Sequence, residues 1–169
     1  MKKTVLTFGL LSGVVGALLM FVNMLFIDRI GFDKAVVTGY TAIVMSLLLV
    51  YFGVRSYRDN QLGGKITFGR AFGVGLLITL VSCVIYVIAW EIEYATVFSD
   101  FTEKYAAHAM EQARASGADE ATLAAKAAEM ADMKQVMDNP VVRPLFVALE
   151  PLPVGLLVTL ISAAVLRKK

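Results

Sequence analysis

The sequence predicts an all-α integral membrane protein with four transmembrane helices and an extracytoplasmic helical hairpin between the third and fourth. Three observations predict it. Of 169 residues, 58% are hydrophobic and 18% charged, against about 45–50% and about 25% in soluble domains, and mean hydropathy is +0.71. The charges are unevenly placed, leaving three long uncharged runs. The one sizeable hydrophilic stretch, Glu91–Val142, is patterned as helix rather than as linker. The whole chain reads as a single membrane domain, residues 1–169, carrying an insertion over 91–142.

The first span covers about residues 4–27. Thr4–Ile27 holds no charge, and at about 1.5 Å per residue it is long enough for a hydrocarbon layer of about 30 Å. A charged start followed by an apolar run also describes an export signal, but this run exceeds the usual h-region of about 7–15 residues and no small-x-small cleavage site precedes Asp28, so a retained span is expected. The second span lies within the uncharged run Ala35–Val54 (about 36–54) and the third within Ala71–Trp90 (71–90). The fourth, about 145–166, carries Glu150, Pro151 and Pro153 near its start, followed by the uncharged stretch Val154–Leu166. It is expected to be one span with a kinked outer end, because Pro151 removes a backbone donor and frees the carbonyl of Val147.

Orientation follows from the basic residues. Lys2, Lys3, Arg55, Arg58, Lys65, Arg70, Arg167, Lys168 and Lys169 share their side with a single acid, Asp59. The other side holds seven basic and thirteen acidic residues, most of them in the long insertion, which counts little. The chain is therefore expected to be a multi-pass protein of the cell inner membrane with both termini in the cytoplasm.

Within the insertion, Phe98, Phe101, Tyr105 and Gln112 fall near helical spacing, and Asp100 precedes Lys104 by one turn. Ser116-Gly117 is a break, after which Asp119 can start a second helix with the stripe Leu123, Ala127, Met130, Met133 and Met137. Asn139-Pro140 ends it. The Met and aromatic stripes are expected to hold the two helices together, with a partner-binding groove as the alternative use. Eight acidic and four basic residues in Val97–Asp138 describe a solvated face, and His108 among alanines reads as a surface residue.

Between membrane helices, attraction depends on close backbone approach. Gly9 and Gly13, with Ala17, form a small-residue face in span one, and Gly69 and Gly73 form one at the entrance of span three. Gly75 and Gly155 belong to an internal echo: Val74–Ser82 matches Val154–Ser162 at seven of nine positions. Because spans three and four run in opposite directions, the echo has the form of an inverted repeat, a feature of some transporters. Thr79 with Ser82, and Thr159 with Ser162, set hydroxyls on one face of each helix.

Carboxylates at the outer boundary form the candidate polar cluster: Glu91, Glu93 and Glu150, with Arg143. A charge at membrane depth is costly and needs a partner. For Glu150 the candidates are Arg143, nearest in sequence, and Lys34 and Arg29 in the turn between spans one and two. A structural ion pair is the expected role, and a shallow ion or proton site the alternative.

Several classes of function are disfavoured. A net charge of +2 is too weak to suggest nucleic acid as partner, and one cysteine with one histidine builds no Cys/His metal cluster. No phosphate loop, HExxH or nucleophile elbow is present. Cys83, mid-span, is expected to be an unreactive buried thiol. No catalytic residue, cofactor or metal is expected, and the chain does not read as an enzyme.

The segment Gly64-Lys65-Ile66-Thr67-Phe68-Gly69-Arg70-Ala71-Phe72 resembles the corresponding segment of a bacterial family of small membrane proteins known as domain of unknown function 4199. So do Asn139-Pro140, Glu150-Pro151-Leu152-Pro153-Val154-Gly155-Leu156-Leu157 and the ending Ile161–Lys169. The family's Tyr-Asn-Pro type segment after span three is replaced here by Tyr94-Ala95-Thr96-Val97-Phe98. The resemblance covers essentially the whole chain and implies a four-span inner-membrane protein; it brings no activity with it. The residues themselves lead to a scaffold or accessory subunit that contacts a protein partner, or a second copy, through the hairpin. The alternative is a small transporter or channel component using the boundary carboxylates.

Overall fold

The computed structural model describes residues 1–168 and is all-helical, with four helical stretches long and apolar enough to cross a membrane. These belong to a multi-pass membrane protein. Eight helices follow in order: α1 (Lys2–Leu25), α2 (Ile27–Ile30), α3 (Phe32–Gln61), α4 (Phe68–Thr96), α5 (Phe101–Ala115), α6 (Glu120–Asp138), α7 (Val142–Ala148) and α8 (Pro151–Leu166). The chain forms two compact units, residues 1–89 with Ala148 onward, and residues 90–147. The second is wider at both ends than the expected insertion 91–142, and α4 runs through both.

The helices outrun their apolar stretches. α3, 30 residues and about 45 Å long, includes Asp33, Lys34 and Arg55–Gln61 beyond the expected 36–54. Those residues have no reason to leave the helix when they leave hydrocarbon, since most are fair helix formers. Stops come instead from glycine: Gly31 (φ +80°) separates α2 from α3, and Gly63 and Gly64 (φ +62° and +86°) end the α3 region, conformations in which a Cβ is strained. The fourth apolar region, Val142–Leu166, is one candidate span interrupted at Leu149-Glu150, the break expected ahead of Pro151. α7 ends at Ala148 and α8 begins with Pro151 at its first turn, where the missing N–H is one that has no helical acceptor anyway.

In the first unit, α1 packs on α3 and α4, and α8 packs on α3 and α4, around Leu47, Val50, Val54, Val74 and Ile78, each no more than 1% exposed. Contacts are made at glycines. A Cβ on Gly9 would lie 2.6 Å from Cβ of Val81, and one on Gly13 would lie 2.6 Å from Cβ of Ile85, so α1 and α4 are as close as their backbones allow. Gly69 and Gly73, read from the sequence as another packing face, have no atom within 4 Å of a Cβ position and take no part in the chain's helix contacts.

Hydroxyls complete the interior. Ser82 Oγ of α4 donates to Ser12 Oγ of α1 (3.0 Å), and Ser12 Oγ donates to the Ser46 carbonyl of α3 (2.8 Å), a buried chain across three helices. The internal echo has a direct structural reading. Thr79 and Thr159 share a hydrogen bond (3.1 Å), Gly75 leaves room for the Thr159 methyl, and Gly155 leaves room for the Thr79 methyl. Two antiparallel helices carrying the same Gly-x-x-x-Thr pattern thus meet reciprocally, each glycine receiving the other helix's threonine.

Both chain ends lie at one end of this unit. The Met1 ammonium donates to Gln61 Oε1, Gln61 Nε2 donates to Thr4 Oγ1 (2.6 Å), and Ile66 and Lys168 exchange two backbone hydrogen bonds (3.0 and 2.9 Å).

The second unit is a helical hairpin with the end of α4 and the start of α7. Gly117 (φ +76°) makes the turn between α5 and α6. The Asp119 carboxylate then accepts from the Thr122 N–H (2.9 Å), capping α6 as the sequence predicts; hydrogen bonding from the Thr122 side chain, and then from its N–H, lowers the Asp119 carboxyl from its ordinary value. Thr102 and Ala109 of α5 and Met130 and Met137 of α6 are buried, and Lys134 pairs with Glu103 across the hairpin (2.8 Å). The stripe shifts slightly from the expected one: Ala127 and Gln112 are exposed, while Lys126 and Val136 are half-buried. Asn139 closes α6 and opens α7, its side-chain oxygen accepting from Val141 N (2.9 Å) and Val142 N (3.1 Å).

Candidate functional site

Glu91 and Glu93 stand on the last two turns of α4, and Arg143 on the first turn of α7, all in the second unit. After the uncharged stretch Ala71–Trp90, α4 acquires its first carboxylates only here. Arg143 follows the Asn139-Pro140 turn that separates α6 from α7.

Glu91 and Arg143 form a forked ion pair. Arg143 Nε donates to both carboxylate oxygens (3.0 and 3.2 Å), and Nη2 donates to Oε2 (2.6 Å). The remaining nitrogen, Nη1, donates to the carbonyl of Met137 (2.7 Å) in the last turn of α6, where the helix dipole favours a cation. The guanidinium carbon lies 4.5 Å from the ring centre of Tyr94, a cation–π distance. Tyr94 shares a hydrogen bond with Thr102 at the start of α5 (3.2 Å), and Trp90 stacks edge-on against Phe101 (5.5 Å). One side chain therefore ties α4, α6 and α7, with α5 joined through Tyr94. All three guanidinium nitrogens are in use, so Arg143 is a clamp rather than a cation waiting for a ligand.

Glu93 is half-buried, and among the described residues neither its Oε2 nor the Trp90 indole N–H finds a hydrogen-bond partner. Glu150 belongs to the first unit, in the break between α7 and α8. Its partner is Tyr86, whose hydroxyl donates to Oε2 (3.1 Å). The expected ion pair of Glu150 with Arg143, Lys34 or Arg29 is not formed: Arg143 serves Glu91, and among the described residues no cation pairs with Glu150. The phenol gives the carboxyl a hydrogen-bond partner without a second charge.

Sequence reasoning passes over Tyr86 and Tyr94; Tyr94 lies three residues after Glu91, a spacing that shares a helix face, whereas Tyr86 lies five residues before Glu91 and no local spacing marks it. His108 is half-buried on α5 rather than fully exposed. Cys83 is buried and not disulfide-bonded. Among the described residues no group of three or more His, Cys, Asp or Glu side chains is placed to hold a metal ion.

Comparison with known proteins adds the chain's kinship. No curated protein matches it, and no solved structure does. A family model does, over residues 7–168, nearly the full length and including both the glycine-packed helices and the hairpin clamp. The chain belongs to the family described as Protein of unknown function (DUF4199).

Proposed function

We propose that the protein is a non-enzymatic scaffold or accessory subunit of the bacterial inner membrane, with both termini in the cytoplasm and the α5–α6 hairpin on the outer side, where it contacts protein partners. The observation that carries this reading is how the bundle uses its polar groups. Ser12, Ser46, Ser82, Thr79 and Thr159 are buried and bonded to one another or to helix carbonyls, so they join helices instead of lining a path. The polar surface lies on the hairpin, which is clamped at its base by Arg143 and exposes Glu111, Arg114, Glu120 and Asp132. The positive-inside pattern supports the orientation.

The test is purification of the tagged full chain from native membranes. The reading expects a stoichiometric partner, or a second copy, that is lost when Glu111, Glu120 and Asp132 are replaced by Lys while the protein remains folded. Partner retention in that variant contradicts it.

A second reading has one specific observation in its favour. Glu150, at membrane depth, has a neutral phenol as its partner, an arrangement suited to taking up a proton or ion. Flux in proteoliposomes that Glu150→Gln abolishes, at normal expression, would favour a transporter or channel component.

A further inference from the structure

Lys2 and Lys3 open α1, Arg55 and Arg58 close α3, Lys65 sits in the turn before α4, Arg70 lies in the first turn of α4, and Arg167 and Lys168 follow α8. Sequence alone puts these residues on one side; the structure puts them on one surface. The Met1–Gln61 contact ties the start of α1 to the end of α3, the Arg58 guanidinium reaches the Leu166 carbonyl (3.4 Å), and the Ile66–Lys168 bridge fastens the basic tail to the turn that holds Lys65.

Asp59 is the sole acid there, and it is already occupied. Arg58 grips it through Nε (2.6 Å) and Nη2 (3.2 Å), and Arg55 approaches to 3.6 Å. Lys2, Lys3, Lys65, Arg167 and Lys168 are exposed and form no ion pair with a described residue. Cations gathered on one bundle end repel each other over a screening length of about 8 Å, so this end is electrostatically incomplete. Immediately along the helices begin the exposed apolar residues Leu6, Leu10, Phe52 and Phe68. Cationic head groups with apolar stems beside an apolar belt match the charge and layering of a lipid headgroup region.

We infer that this end of the bundle is a binding surface for anionic phospholipid headgroups, formed by Lys2, Lys3, Lys65, Arg70, Arg167 and Lys168. The inference rests on the membrane-spanning reading and goes beyond the proposed role of the hairpin.

The test uses the full chain in nanodiscs of mixed phosphatidylglycerol and phosphatidylcholine, with the lipids that remain bound after mild detergent extraction counted by native mass spectrometry. Juxtamembrane cations contribute a factor of about five each. Wild type is expected to retain phosphatidylglycerol over phosphatidylcholine by about tenfold or more, with the preference falling as salt rises. Combined Lys2→Gln, Lys3→Gln, Arg167→Gln and Lys168→Gln should abolish it. Combined Lys104→Gln, Arg114→Gln, Lys126→Gln and Lys134→Gln, on the hairpin, should not.

Equal retention of both lipids by wild type overturns the inference, as does a preference that survives the first set of changes. Loss of the preference to millimolar inorganic phosphate also overturns it, because that identifies a soluble-anion site. Wild-type salt dependence keeps the test decisive if the first variant fails to fold. Failure to enter nanodiscs at all would instead contradict the membrane-spanning reading.

Discussion

The bundle's helices meet where side chains are smallest, whereas those of the hairpin unit meet through its largest. Gly9, Gly13, Gly75 and Gly155 bring backbones together in the first unit, and Ser and Thr hydroxyls bond across the seams. In the second, Trp90, Phe101, Met130 and Met137 fill the contacts, and Arg143 joins helices through an ion pair. On the proposed reading, with the hairpin outside the membrane, the difference follows from solvent. In lipid, an apolar side chain gains little by leaving its surroundings, so close contact and hydrogen bonds must supply the attraction. Where water competes, burying large apolar groups supplies it.

The strongest break of this contrast is Gly155→Leu. The new side chain would run into Thr79, and overpacking of this kind is expected to lower bundle stability by about 3 kcal/mol, measured by thermal unfolding in micelles. Gly73→Ala is the companion change, since a Cβ there meets no atom within 4 Å; it should raise stability by about 0.5–1 kcal/mol through helix propensity. Similar losses for both would mean that α8 does not approach α4 as described.

Arg143→Met addresses the other unit. It leaves Glu91 part-buried without its cation, at an expected cost of about 2–3 kcal/mol, below the range for fully buried pairs because Glu91 keeps some access to solvent. Arg143→Lys should recover little, since an ammonium cannot reproduce the fork. Limited proteolysis of the hairpin measures both, and Glu91→Gln combined with Arg143→Met should be less than additive.

Smaller effects refine the picture. A Thr79→Val, Thr159→Val double-mutant cycle should give a coupling of about 0.6 kcal/mol, the scale of interhelical bonds in membranes. Asp119 provides the pH test. Its carboxyl lies below the usual value because hydrogen bonds from Thr122, the side chain first and then the N–H, stabilise the charged form, so its capping contribution is complete above the ordinary aspartate pKa of about 3.9 and is lost as pH falls through the lower folded value. The helicity difference between wild type and Asp119→Ala should therefore shrink below about pH 4, as read by circular dichroism.

Much of the architecture was legible because it rests on local signals. Uncharged runs mark what hydrocarbon tolerates, and Gly117 with Asp119 marks a turn and a cap. Helix ends were less legible, since Arg55–Gln61 leaves the apolar stretch without leaving α3. The hairpin stripe passed over Lys126 because hydropathy ignores the apolar stem that a half-buried lysine can pack. At the boundary, Glu91 and Arg143 could each be named, but their pairing could not. They are 52 residues apart, and nearness in sequence directed Arg143 toward Glu150 instead. The role of Tyr86 stayed hidden because a tyrosine near the end of an apolar span reads as an interfacial anchor. Gly69 and Gly73 keep the small-residue spacing, but among the described residues nothing packs within 4 Å of a Cβ position there.

The central claim is that the bundle is a packed support and the hairpin its contact surface. Photo-crosslinking in native membranes tests it most directly, with a reactive residue placed at Glu111, Glu120 or Asp132 on the hairpin, or at Leu18 or Val37 on the bundle, all exposed. The account predicts a discrete light-dependent protein adduct from hairpin positions and diffuse or no protein adducts from bundle positions. Discrete adducts from the bundle alone, with none from the hairpin, would contradict it.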